Sequence, residues 1–175
     1  MSSQSRIVLF TGQGKGKTTA ALGMAVRACG HGLRVGMIQF IKSQDNTGEL
    51  AAAESLPHLY ITQAGRGWVP QPDTREFHEH QEAAQRGLAR ARDSIPRREW
   101  DMLVLDEICV AISKGLLRED AVLGVISEAP DDMIIVLTGR NAPEGLIQRA
   151  DTITEMRCLR HALQKGRKAQ QGVEY

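Results

Sequence analysis

With 175 residues, 42% of them apolar, and 22 basic against 21 acidic side chains for a net charge of +1, the chain fits one domain with a real core and has no global pull toward nucleic acid or an anionic membrane. The three scattered cysteines, Cys29, Cys109 and Cys158, exclude a disulfide framework and a zinc site and read as buried thiols of a reducing compartment. No apolar run approaches the ~18 residues of a membrane span and no signal peptide precedes the first strand-like segment, so the cytoplasm is the expected setting.

The first apolar run, Ile7-Val8-Leu9-Phe10, predicts a strand. Residues 17–29 predict a helix that is apolar nearly all round, through Ala20, Ala21, Leu22, Met24, Ala25, Val26 and Ala28, and therefore sandwiched deep in the molecule. Further strands are expected at 35–38, 59–61, 102–105, 133–137 and 152–154. Between Thr74 and Ile95, apolar residues at Phe77, Ala84, Leu88, Ala91 and Ile95 give the spacing of a helix with one buried stripe, stopped by Pro96. Strands separated by helices imply parallel crossovers, and near-continuous hydrophobicity within the strands implies cover on both faces. The expected fold is therefore α/β, a doubly wound, mainly parallel sheet with helices on both faces. The last fifteen residues, HALQKGRKAQQGVEY, are too polar for another core layer, so one domain over 1–175 with a surface-lying tail from about 157 is expected.

Between the first strand and helix stands TGQGKGKT, Thr11 to Thr18. The general phosphate-loop pattern opens on a glycine where this chain has Thr11, but Gly12, Gly14 and Gly16 still permit positive φ and close approach, so that successive N–H groups can face phosphate oxygens. In this pattern Lys17 touches the phosphate chain and Thr18 offers its hydroxyl to magnesium, while Lys15 adds a second cation at the tip and Gln13 and Thr19 complete the nucleotide-binding set. The run MLVLDE places Asp106 and Glu107 at the carboxyl end of a neighbouring buried strand, where one of them holds the metal or its water; which one is left open, as is Asp106 simply capping the next helix. Arg140, after Thr138-Gly139, ends another strand at the same crevice and suits a phosphate or carboxylate. Gln39, Phe40 and Lys42 end the second strand, either with a role or as a fraying end. His31, His58, His78, His80 and His161 show no ligand spacing. Lys17, Thr18 and Glu107 are the candidate catalytic residues of a magnesium–nucleotide protein, and no water-aligning group or acceptor pocket singles out a reaction, leaving a small P-loop ATPase, a kinase or a nucleotide-sensing regulator open.

Along nearly its whole length the chain resembles the corrinoid adenosyltransferases of the cobalamin pathway, through TGQGKGKTTAALGMAVRACGHG, QFIK, LVLDEI, VLTGRNAP and ADTITEM with the tail that follows. That family's loop typically reads Thr-Gly-Asn-Gly-Lys-Gly-Lys-Ser/Thr, so Thr11 fits the family and Gln13 departs from it. The resemblance implies that the cobalt of a reduced corrinoid, cob(I)alamin, attacks the 5′-carbon of ATP, takes the deoxyadenosyl group and expels intact triphosphate. No general base is needed, and Lys17, Lys15, loop N–H groups and magnesium would stabilise charge arriving on the leaving group. It further implies a nucleotide reversed along the loop relative to kinases, a homodimer, and an electron donor such as a reduced flavoprotein. Family members use aromatic residues to displace the lower axial ligand of the corrinoid. The matching stretch is Gly65-Arg66-Gly67-Trp68-Val69-Pro70, with Trp68 either in that role or a core anchor, and Pro70 where some members carry a second aromatic. An N-terminal extension that reaches over the site in some members is missing, so either the C-terminal tail, His161 included, alone covers the nucleotide or the site is more open.

Overall fold

The computed structural model describes residues 5–43 and 47–173; residues 1–4, and 174 and 175 at the end of the polar tail, lie outside the described residues. Six strands, β1 (Arg6–Thr11), β2 (Val35–Gln39), β3 (Leu59–Gln63), β4 (Met102–Asp106), β5 (Ile134–Thr138) and β6 (Thr152–Glu155), form one sheet in the order β3-β2-β4-β5-β1-β6. Every pairing is parallel, so all strands present their carboxyl ends to one edge. Six helices connect them: α1 (Lys17–Gly30), α2 (Gly48–Ser55), α3 (Arg75–Ser94), α4 (Ile108–Ser113), α5 (Glu119–Ser127) and α6 (Glu144–Arg149).

Alternate residues of the central strands feed two separate cores. Ile7, Leu9, Leu103, Leu105, Ile135 and Leu137 pack with Phe77, Ala84, Leu88 and Ala91 of α3 and with α4, α5 and α6. Val35, Met37, Met102, Val104 and Val136 face the other way, onto Ala21, Ala25 and Ala28 of α1. The chain order follows from right-handed crossovers: connections that travel toward β3 put α1 and α2 on one face, and those that travel toward β6 put the remaining helices on the other. The fold is thus α/β with both faces covered, and parallel throughout.

Helix α3 keeps its predicted stripe, and its start is fixed by Thr74, whose side chain accepts a hydrogen bond from the Phe77 amide at 3.1 Å. Helix α1 departs from expectation. Only Lys17, Ala21, Ala25 and Ala28 are buried, whereas Gly23 and Arg27 are exposed and Val26 is 48% exposed, so the helix is an outer layer and not an interior one. Its alanines are small, and a one-sided contact with the sheet is all they need; apolar character all round reflected small side chains suited to a helix, not depth. The cysteines divide as well: Cys109 is buried, with its thiol pushed up to about 12 by burial and the Glu107 charge, Cys29 is half-buried, and Cys158 is exposed, contrary to the buried reading of all three.

Among the described residues no helix is long and apolar enough to cross a membrane. Residues 157–173 carry one short 3-10 turn at Ala162–Lys165 and are exposed nearly throughout.

Candidate active site

The loop between β1 and α1 is shaped by the chain that leaves β6. The Met156 amide donates to the Thr11 carbonyl at 2.8 Å, and the Met156 carbonyl accepts from the Gly14 amide at 2.6 Å. A Cβ on Gly12 would stand 2.5 Å from the Met156 oxygen, and one on Gly14 would stand 2.7 Å from it. Gly12 and Gly16 also have φ of 94° and 111°. The glycines are therefore required by the neighbouring backbone as well as by any ligand. One N–H expected to face phosphate, that of Gly14, is instead engaged by Met156, just past β6.

Lys17, 5% exposed, curls back so that Nζ donates to the Gly12 carbonyl at 2.9 Å and the Gly14 carbonyl at 2.7 Å. Burial draws its ammonium below the ordinary lysine value, opposed by the nearby Glu107 carboxylate. Gln13 Nε2 donates to Asn141 Oδ1 at 3.0 Å, tying the loop tip to the turn after β5, where Arg140 is exposed.

The acids do not sit on a strand next to β1, as expected: β5 lies between β1 and β4, so roughly 10 Å of sheet separates the two strands. Contact is restored from above and across. Thr18, at the start of α1, donates through Oγ1 to Asp106 Oδ1 at 2.9 Å, and Thr138, at the end of the intervening β5, donates to the same oxygen at 2.7 Å. Gln39 Nε2 approaches Asp106 Oδ2 at 3.3 Å. Asp106 is fully buried and caps no helix; α4 begins after Glu107, whose backbone has φ of 60° and whose amide donates to Thr138 Oγ1 at 2.8 Å. Gln39 and Phe40 are buried, which removes the fraying-end reading of β2.

Burial raises Asp106 above the ordinary carboxylate range in spite of the bonds from Thr138 and Thr18, and burial followed by the Asp106 charge raises Glu107. A carboxyl whose pKa is higher folded than unfolded stabilises the fold when protonated, and that contribution disappears as pH climbs through the raised value. We expect the melting temperature of the protein in metal-free buffer to fall as pH rises from the ordinary carboxylate range toward neutrality, and Asp106→Asn to flatten that slope in a calorimetric pH series. An unchanged slope would exclude Asp106 as a source.

A cavity of about 470 Å³ opens above these groups, lined by the loop from Gly14 to Thr19, by Leu22 of α1, by Lys42, Glu49 and Ala52, by Glu107 and Arg140, and by His161, Gly172 and Val173 of the tail. Lys15, Lys17, Thr18, Thr19, Glu107 and Arg140 are thus brought to one space. Asp106 lies beneath it, and Gly12 and Gln13 shape the loop without lining it. Trp68 is 91% exposed and stands outside the cavity, so it is no core anchor; its loop runs beside the chain after β2 through the Gly67 amide and the Ile41 carbonyl at 2.7 Å. His80 is buried in α3, and His31 and His58 are exposed.

A magnesium ion fits the donor set. Glu107 Oε2 is buried without a hydrogen-bond partner among the described residues, and it sits with the Thr18 hydroxyl and Asp106. No group of three or more His, Cys, Asp or Glu among the described residues could hold a metal by itself. One or two carboxylates with a hydroxyl, completed by phosphate and water, is the way proteins commonly bind this ion. The arrangement can hold a polyanion between cations and a hard metal.

Sequence reasoning missed Glu49 and Met156. Met156 ends the ADTITEM run but shows its contact with the loop only once β6 lies beside β1, and Glu49 reaches Lys42 and Gln39 at the cavity wall.

The family model for ATP:corrinoid adenosyltransferase BtuR/CobO/CobP matches residues 3–175. A corrinoid adenosyltransferase of Pseudomonas aeruginosa is 38% identical over 172 residues, covering 97% of this chain and 83% of that protein. One of Escherichia coli K12 is 38% identical over 175 residues, covering 97% and 85%. Among solved structures, the flagellar accessory protein FlaH of Methanocaldococcus jannaschii superposes with a TM-score of 0.57 at 12% identity, covering 86% of this chain and 70% of that one, a likeness of fold.

Proposed function

Because the chain belongs to the ATP:corrinoid adenosyltransferase family and so adenosylates corrinoids with ATP, we propose that the cavity above Asp106 is where it does so. The cobalt of the reduced corrinoid substrate attacks the 5′-carbon of ATP; the carbon–oxygen bond to the α-phosphate breaks, and its electron pair leaves on triphosphate. The carrying observation is the cavity itself, which gathers Lys15, Lys17 and Arg140 around one space with the Thr18 hydroxyl and Glu107. A displacement at carbon by a metal lone pair requires that chemistry: stabilise a departing polyanion and remove no proton.

Lys17 exchanges its two loop carbonyls for phosphate oxygens, Lys15 and Arg140 neutralise charge at the mouth, and Gly12, Gln13, Gly14, Gly16 and Thr19 set the shape of the loop. Magnesium would be held by Thr18 with Glu107 or Asp106, and would supply Lewis-acid stabilisation of the triphosphate. Asp106, anchored by two threonines, keeps Thr18 oriented. The tail residues His161, Gly172 and Val173 limit water at the nucleotide. On the family resemblance the proposal also includes a single domain with that tail, a homodimer, an electron donor such as a reduced flavoprotein, and work in the cytoplasm.

Incubation with ATP, magnesium and chemically reduced cobalamin should yield adenosylcobalamin and triphosphate. Release of ADP and phosphate with no need for corrinoid would instead support an ATPase or kinase. Trp68, exposed on its loop, is proposed to meet the corrinoid and displace its lower ligand. Trp68→Ala should then slow the reaction most when cob(II)alamin has to be reduced on the protein, and least when cob(I)alamin is supplied; equal losses in the two assays would remove that role.

A further inference from the structure

Lys42 follows β2 and is, among the described residues, the lysine or arginine lining the cavity that comes neither from the phosphate loop nor from the turn after β5. Its ammonium donates to Glu49 on α2. Glu49 is fixed in turn, because Gln39 Nε2 donates to the same Glu49 oxygen at 3.1 Å while also reaching Asp106 Oδ2 at 3.3 Å. Gln63 Nε2 donates to Gln39 Oε1 at 3.1 Å, which turns the Gln39 amide nitrogen toward the two carboxylates. The side chain of Glu49 is 10% exposed and that of Lys42 is 30% exposed, so the pair sits at the cavity wall with Lys42 the more open of the two. Burial alone would raise Glu49, but the bonds from Lys42, from its own backbone and from Gln39 hold it below the ordinary value, as an anion.

We propose that Lys42 is a further phosphate-binding residue of this cavity, a cation opposite the loop lysines that is held in place by Glu49 and Gln39 and contacts the triphosphate of the nucleotide. The proposal rests on the reading that this cavity takes ATP. An ammonium has three N–H donors, and Glu49 takes one of them. Lys15, Lys17, Lys42 and Arg140 face Glu49, Glu107 and the underlying Asp106, so Lys42 adds a cation on the wall across from the loop lysines. A lysine serving merely to fasten α2 would need neither the cavity nor an amide that also grips Asp106. Lys42 also bears on both deep acids, lowering the proton affinity of Asp106 and of Glu107 against their burial.

The test is calorimetric titration of the full chain with inorganic tripolyphosphate in buffer free of divalent cations, with thermal unfolding recorded for each variant. Lys42→Ala should weaken tripolyphosphate binding by at least about tenfold, the loss of a charge-assisted hydrogen bond, and Lys42→Arg should stay within about threefold because the charge and donors remain. If Lys42→Ala fails to fold, Lys42→Gln, which keeps part of the stem and a neutral donor, is expected to show the same weakening. Wild-type affinity in Lys42→Ala or Lys42→Gln, alongside lost binding in Lys17→Ala, would overturn the role of Lys42 and leave the cavity as the polyphosphate site. Wild-type affinity in Lys17→Ala as well would bring down the reading on which the proposal rests.

Discussion

Replacing Lys17 with alanine is expected to cost at least about 3 kcal/mol of transition-state stabilisation, more than a hundredfold in kcat/KM with chemically reduced cobalamin as acceptor. The size follows from where the ammonium stands. It is 5% exposed, at the closed end of the cavity, where a preformed charge acts on a developing anion without bulk water to screen it. Without ligand it holds the carbonyls of Gly12 and Gly14, so alanine also leaves two loop oxygens short of a donor. The two effects separate experimentally: a loosened loop raises KM and lowers the melting temperature, whereas lost stabilisation of the leaving group lowers kcat. A variant with kcat/KM near that of the parent would remove Lys17 from the chemistry.

The second large effect is on the loop itself. Gly12→Ala should destabilise the protein by about 2–4 kcal/mol in denaturant unfolding and abolish ATP binding, since it combines a left-handed backbone with a clash against another segment's main chain. The new methyl carbon would lie 2.5 Å from the Met156 oxygen and 2.8 Å from its nitrogen, and that segment cannot retreat without giving up its bonds to Thr11 and Gly14. Gly23→Ala is the internal contrast. Gly23 is exposed in the middle of α1 with nothing within 4 Å of the added carbon, so the same change there should stabilise by about 0.5–1 kcal/mol through helix propensity alone. Equal responses at the two positions would mean that the Met156 contact does not constrain the loop.

The part of the fold written in local pattern was legible. Each strand could be read from a short apolar run, and α3 from its stripe and the Pro96 that follows, because those signals depend on neighbours in sequence. The phosphate loop and the acids at the end of β4 were legible for the same reason. What escaped depended on strand order. That β5 lies between β1 and β4, making Thr138 the bridge to Asp106, has no trace in spacing. Gln39 looked as much like a loose end as a working residue, until β3 and α2 supplied Gln63 and Glu49 beside it. Helix α1 misled because alanine is apolar on any face, while only contact with the sheet decides which face is covered.

The two indoles of the chain have opposite surroundings. Trp100 pairs with the Tyr60 ring at 5.1 Å between centroids and lies 5.8 Å beneath the Arg90 guanidinium, already shielded by its neighbours. Trp68 stands 91% in water. Light emitted from the second will shift toward the blue or dim when any body settles on its loop, while the first supplies a steady background. The molecule thus carries a built-in optical gauge of what arrives at that loop, needing no added dye.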